Sequence, residues 1–261
     1  MINYLTRIGE HIIQLNTSSF HLAQRIKNMF FPIPGLERRE NSISITIHDG
    51  YGVPFQDYEV QPLIEGGTIS FQRADYQIAI DEQFNSATIH IHDDLALKHA
   101  MMNLYSAYIV YQGWGLLLHS SCVIENNEGH IFSGHSGAGK STAARLSYPR
   151  ELLSDEATIV KIDREGHTVF DSPFRSEMEE RARTAFVPLS SIQLLYQSKT
   201  NKRIKIKSSD ALISMMDKVF YWNYSVSETK KVLRLLTALV SEIPVHQLYF
   251  QKNNTFWELI S

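Results

Sequence analysis

An internal disulfide is absent from this chain, because Cys122 is its single cysteine in 261 residues. It lies in the apolar run Ser121-Cys-Val-Ile124 and reads as a small buried hydrophobe in a reducing compartment rather than as a nucleophile. No run of about 18 apolar residues occurs, which excludes an obvious membrane span, and no basic segment followed by an apolar stretch opens the chain as a signal peptide would. The expected location is therefore cytoplasmic, with no membrane partner. An excess of basic residues is missing as well. Lys and Arg number 25 against 28 Asp and Glu, giving a formal charge of −3 and a pI near 6.4, so no global positive field exists to hold nucleic acid. Internal repeats and low-complexity segments are also lacking. With 43% hydrophobic residues, the chain can bury a substantial core as one large domain or two modest ones.

One local pattern stands out against this background. Gly134-His135-Ser136-Gly137-Ala138-Gly139-Lys140-Ser141 has the form G-x-x-x-x-G-K-[ST], and Thr142 follows it. Glycines let a backbone curl so that successive N–H groups point at phosphate oxygens. Lys140 would reach the β- and γ-phosphates, and Ser141 would offer its hydroxyl to Mg²⁺. The surroundings agree: His130–Ser133 reads as a short buried strand, Ser141–Leu146 as a helix whose positive end would favour an anion. A nucleoside triphosphate, ATP, is the first ligand this implies, and a ligand-free glycine turn is the plainer alternative.

Residues 1 to 94 read as short strands and turns around a helix over Ser19–Met29, with alternation in Ser42–His48 and Ala87–His92. Asp93 or Asp94 can cap a long helix on which Leu97, Met101, Leu104, Tyr105, Tyr108 and Ile109 share one face. A second domain is expected to begin near Leu95, dividing the chain into 1–94 and 95–261. Strands are expected at Leu116–His119, Ser121–Ile124, Leu152–Glu156, Ile192–Tyr196, Arg203–Lys207, Val245–Gln251 and Thr255–Ile260. A hairpin spans Thr158–Phe170, a loop covers Ser172–Arg175, and helices cover about Ser209–Trp222 and Ser227–Ser241. The fold class is α/β, a mixed sheet flanked by helices beside a smaller strand-rich N-terminal domain.

Phosphoryl transfer needs a metal-organising acid and a group to orient the acceptor, usually at the ends of neighbouring strands. Asp155 and Glu156 follow apolar Leu152-Leu153, fifteen residues beyond Lys140. His119 ends an apolar strand one hairpin before the glycine loop and can emerge on the same sheet edge. Arg175 could carry a guanidinium to the transferring phosphoryl group; a surface ion pair with Glu177 or Glu179 is the plainer reading.

In their order, Gly115-Leu-Leu-Leu-His119, Phe132–Thr142, Leu153-Ser-Asp-Glu156, Ser172-Pro-Phe-Arg175, Val187-Pro-Leu189 and Thr255-Phe-Trp-Glu258 resemble the HPr kinase/phosphorylase group. The pattern is most similar to the HPr-kinase-like serine kinases of peptide natural-product clusters, including lasso-peptide tailoring kinases. The resemblance spans most of residues 95 to 261 and says little about residues 1 to 94, which are left as a domain for acceptor recognition. It implies a P-loop fold like that of phosphoenolpyruvate carboxykinase, with ATP, Mg²⁺ and transfer to a serine hydroxyl of a peptide or protein. It further implies that Asp155 deprotonates the acceptor, Lys140 and Ser141 hold phosphate and metal, Glu156 helps hold Mg²⁺, and His119 lies near the phosphates. Two departures, Asp155-Glu156 where HPr kinases carry two aspartates and the lack of their later glycine-rich segment and helical tail, point away from HPr as acceptor and from phosphorolysis.

Three weaker signals have plain explanations. Arg203, Lys205 and Lys207 alternate with Ile204 and Ile206, as on a strand with one solvated face that protects a sheet edge. His90, His92 and Asp93 could gather a metal, though no further ligand is evident. Tyr221-Trp222-Asn-Tyr224 follows a helical run and reads as core rather than as a peptide groove. The alternatives to a serine kinase are a nucleotide-gated binding module and a small-molecule kinase, and a homo-oligomer is left open.

Overall fold

The computed structural model describes residues 1–37, 42–176 and 182–261. Two compact units emerge, one of Met1–Tyr111 with Tyr221–Glu228, the other of Gln112–Phe220 with Thr229–Ser261. The long helix that the sequence assigned to the second domain thus counts with the first, and so does a short later segment.

In the first unit, β1 (Ile2–Ile8) and β2 (His11–Thr17) form a hairpin, followed by α1 (Phe20–Phe30). The Ser19 side chain caps α1 by accepting the Leu22 N–H at 3.2 Å, and Leu22, Ala23, Ile26 and Phe30 form its buried stripe. Next come β3 (Ile43–Asp49), β4 (Gln61–Glu65), β5 (Thr68–Arg73), β6 (Tyr76–Asp81) and β7 (Ser86–Ile91). They make one seven-stranded mixed sheet of order β1-β2-β3-β7-β6-β5-β4, parallel only at β2–β3 and β3–β7. Helix α2 (Asp94–Tyr111) starts where the Asp93 carboxylate accepts the Ala96 N–H at 2.9 Å. It is buried all round rather than on one stripe: Ala96, Ala100, Ser106, Ala107 and Val110 join the expected apolar face, as in a helix that lies wholly inside a protein.

The second unit holds β8 (Gly115–Glu125), β9 (Glu128–Ser133), α3 (Lys140–Leu146), β10 (Leu152–Ser154), β11 (Ala157–Asp163), β12 (Gly166–Phe170) and β13 (Phe186–Gln197). It closes with β14 (Lys202–Lys205), α4 (Ser208–Met216), α5 (Val226–Glu242), β15 (Val245–Phe250) and a 3-10 turn at Asn254–Leu259. Two long strands run through it. The first half of β8 pairs with β11 and its second half with β9 and β10; β13 likewise starts on β12 and continues between β9 and β15.

Three expectations are corrected. The runs before and after Ser120 form a single strand, because the hydroxyl that might have broken it is satisfied by Thr158 Oγ1 at 2.7 Å. The helix expected to reach Trp222 stops at Met216, since Val219 and Phe220 are drawn onto β8: the Phe220 N–H donates to the Leu117 carbonyl at 2.9 Å. The expected last strand is a 3-10 turn, started by the Asn253 side chain accepting the Thr255 N–H and locked by buried Phe256 and Trp257. Strand β14 lies at the end of its sheet, which accords with an edge-protecting basic alternation. Tyr221, Trp222 and Tyr224 are half-buried, and Tyr224 meets the buried Phe71 ring edge-on at 5.5 Å. No helix among the described residues is long and apolar enough to cross a membrane.

Candidate functional site

Strand register brings three chain segments to one sheet edge in the second unit. Ser133, the last residue of β9, pairs with Ser120 of β8, so Gly134 leaves the sheet beside His119. On the other side His119 pairs with Ala157, and the Ser120 N–H donates to the Glu156 carbonyl at 3.1 Å. With neighbouring strands about 4.8 Å apart, the Gly134 loop and the Asp155-Glu156 turn stand on the order of 10 Å from each other across His119. Beneath them the buried hydroxyls of Ser120, Ser154 and Thr158 bond one another at 2.6 and 2.7 Å, tying β8, β10 and β11 together below the acids.

The loop's shape is fixed from several directions. The Ala138 N–H donates to the His135 carbonyl at 3.0 Å, and Gln197 Nε2 holds the Gly137 carbonyl at 2.8 Å. Nδ1 of His135 donates to the Ser136 carbonyl at 2.7 Å. Two glycines are required by space: a Cβ at Gly134 would stand 2.7 Å from that of Ala138, and one at Gly139 would stand 2.8 Å from the Phe250 ring. Gly139 has φ +108°, a left-handed conformation that disfavours any side chain. His135, Ser136 and Gly137 are exposed, Ala138 is buried, and Ser141 and Thr142 are half-buried on the first turn of α3. Lys140 Nζ folds back to within 3.2 Å of the Gly134 carbonyl and 3.5 Å of the His135 carbonyl.

Positive charge collects here. Lys218, only 9% exposed, accepts the His119 N–H through its own carbonyl at 2.6 Å, and its ammonium contacts Asp217 at 2.5 Å. Burial and the Lys218 charge hold the Lys140 ammonium below its ordinary pKa. His119, its ring 5.3 Å from that of Phe220, is depressed to about 4 by burial, then by Lys140 and Lys218, against an opposing pull from Asp217. It is neutral at neutral pH. Two cavities adjoin the loop: one of about 350 Å³ beside Gly139, Thr142 and Phe250, the other of about 230 Å³ between Gly134, His135 and Lys218.

Asp155 is 3% exposed. Both of its oxygens accept the Ser176 N–H, at 3.1 and 3.2 Å, and the Ser176 hydroxyl donates to Oδ2 at 3.1 Å. Glu156 is half-buried. Arg175 does something other than expected: one terminal nitrogen donates to the carbonyls of Leu152 and Leu153 at 3.1 Å and to Asp171 at 2.6 Å. It therefore secures β10, the strand that leads into Asp155. Glu177 and Glu179, its alternative partners, lie outside the described residues.

Hard oxygen donors on Ser141 and Glu156 suit Mg²⁺, which keeps several waters and takes few protein ligands. Among the described residues no three His, Cys, Asp or Glu gather as a metal site. His90 instead stacks on His48 at 4.8 Å, His92 Nδ1 meets the Tyr51 carbonyl at 3.2 Å, and Asp93 is the cap of α2. Sequence reasoning missed Lys218, hidden in what read as helix, and missed Ser176 and Gln197. Only Ser176 carried a signal, as the residue after Ser172-Pro-Phe-Arg175.

A search of curated proteins finds no match. Among solved structures, the HPr(Ser) kinase/phosphatase from Coxiella burnetii aligns with 55% of this chain and 90% of its own, at 10% identity and a TM-score of 0.29, a likeness too distant to equate the two folds. A family model, SynChlorMet cassette protein ScmC, matches residues 82–261, well over half of the sequence, and the chain belongs to the ScmC family.

Proposed function

We propose that this protein is an ATP-dependent phosphotransferase that moves the γ-phosphoryl group to a serine hydroxyl of a peptide or protein, a lasso-type precursor being the most specific acceptor. The observation that carries this reading is the half-buried Lys140 ammonium, curled over the Gly134 and His135 carbonyls with Lys218 close enough to depress it. Crowded cations cost free energy that a polyanion recovers.

In this reading the loop backbone from Gly134 to Thr142 cradles the phosphates, and the larger cavity beside Thr142 and Phe250 takes the nucleoside. Lys140 and Lys218 face the charge that spreads over peripheral oxygens in a loose transition state. Neutral His119 donates a hydrogen bond without adding a third charge. Asp155 orients the acceptor hydroxyl and takes its proton late in the transfer. Bound Mg²⁺ would neutralise phosphate charge, and Ser141 and Glu156 are the residues suited to hold it. Arg175 acts as a positioning residue for the Asp155 turn.

Incubation with γ-labelled ATP and a serine-bearing precursor peptide tests the reading. Label in the peptide serine is the expected outcome. Release of free phosphate without acceptor would favour a nucleotide-gated binding module, label in a small metabolite a small-molecule kinase, and no nucleotide binding would end the proposal.

A further inference from the structure

A hydroxyl of the chain itself is presented to Asp155. Ser176 is exposed, yet its Oγ donates to Asp155 Oδ2 at 3.1 Å while its N–H spans both carboxylate oxygens. This is how a serine substrate would approach a general base. The segment that delivers it is anchored residue by residue. The Ser172 N–H donates to the Leu153 carbonyl at 2.9 Å, Phe174 is fully buried, and the Phe174 N–H is accepted by the Ser172 hydroxyl at 3.2 Å. Arg175 then bonds Leu152, Leu153 and Asp171. These anchors tie 172–175 to β10, which ends one residue before Asp155, or tighten the turn itself. Ser176 therefore cannot be far from the carboxylate.

We infer that Ser176 is a phosphate acceptor within the chain, modified by the protein's own transfer activity. The inference rests on the phosphotransferase reading above. Chemically, Ser176 Oγ attacks the γ-phosphorus of ATP, the bond from that phosphorus to the β–γ bridging oxygen breaks, ADP leaves, and the hydroxyl proton passes to Asp155. A tethered acceptor reacts as though at high local concentration, so modification proceeds at a rate independent of protein concentration. The phosphoserine would place about two negative charges against the Asp155 carboxylate. That repulsion would break the bond from the Ser176 side chain to Asp155 while residues 172–175 stay anchored.

The full chain, freed of prior phosphate by a phosphatase, is incubated with ATP and Mg²⁺ and mapped by peptide mass spectrometry, with nucleotide binding measured by calorimetry on the same sample. The expected result is one added phosphoryl group on Ser176, retained as phosphothreonine in S176T, absent in S176A, and equally fast across a tenfold range of protein concentration. ATP binding with transfer to an external peptide but no label on Ser176 would overturn self-modification and leave the phosphotransferase reading standing. Label on another serine, or a rate proportional to protein concentration, would also overturn it. Absence of ATP binding would overturn both.

Discussion

Each unit contains a buried cationic cluster with a histidine depressed to about 4, and the two clusters balance their charge differently. In the first, Arg73 and Asp75, 5% and 0% exposed, form a bidentate pair at 2.6 and 2.8 Å. Arg73 also meets His99 Nδ1 at 2.8 Å and lies over the rings of Phe55 and Tyr76. Every strong charge there has a partner of opposite sign or an aromatic face. In the second unit two ammonium groups, Lys140 and Lys218, press on His119, and the acid nearby, Asp217, has a side chain 71% exposed. The histidines are perturbed by the same causes, burial and neighbouring cations. A shifted pKa therefore does not by itself separate a structural network from a binding site, and the two clusters differ instead in the sign and closure of the surrounding charge.

Removing a cation should consequently have opposite effects in the two places. Lys140→Ala is expected to abolish ATP turnover while leaving the melting temperature unchanged or slightly higher, since it relieves repulsion from Lys218. Arg73→Met is expected to leave turnover measurable and to cost roughly 3–5 kcal/mol of stability, because it strands the Asp75 carboxylate inside the protein. Steady-state kinetics and thermal melts on the same preparations decide the matter. A large stability loss in Lys140→Ala would mean that its cluster is also structural, and the contrast would vanish.

Asp155→Asn sharpens the comparison from the acid side. Like Asp75, Asp155 is buried and hydrogen-bonded, and its donors include the backbone N–H and the hydroxyl of Ser176. The amide can retain one or two of those bonds, so the fold and nucleotide binding should persist. Transfer should fall by at least about a hundredfold, the usual scale for losing a general base. Unchanged turnover would take that role from Asp155.

Much of the second unit was legible because its signals are local. The glycine loop, the Ser154-Asp155 strand end and the hairpin at Arg164–Gly166 follow from residue types that leave the backbone little choice. The neighbourhood of His119 was legible only in part. Strand order brings Gly134 and Ala157 to its two sides, whereas Lys218 arrives because Val219 and Phe220 abandon a helical run to pair with β8. No propensity announces that exchange, since tertiary pairing overrides a weak helical preference. The surroundings of Arg175 were hidden for a related reason. A guanidinium after Ser-Pro-Phe suggests an anion, and the acceptors seen at one terminal nitrogen, the Asp171 carboxylate and the carbonyls of Leu152 and Leu153, are brought together only by the fold. The first unit shows the opposite limit: alternation in β3 and β7 was readable, while the Arg73–Asp75–His99 network depends on strand neighbours that a sequence does not name.

The smallest effect probes the two histidines directly. In the fold each holds its ring neutral down to a pH of about 4, whereas a free imidazole protonates near 6.5. Between those values the unfolded chain binds more protons, so the stability each ring contributes is complete above about pH 6.5 and lost as pH falls toward 4. A bound triphosphate near Lys140 and Lys218 would offset their charge, raise the His119 value and narrow that acid-sensitive window. His99, facing Arg73, Lys98, Asp75 and Asp93, has no reason to respond. Melting curves from pH 4 to 6.5, with and without a non-hydrolysable ATP analogue, should therefore show a ligand-dependent acid response that His119→Gln removes and His99→Gln preserves. Calorimetry near pH 5 in buffers of different ionisation enthalpy should likewise detect proton uptake on binding in the parent chain and not in His119→Gln. If both variants respond to the analogue alike, His119 does not face the phosphates, and the two clusters are structural equivalents.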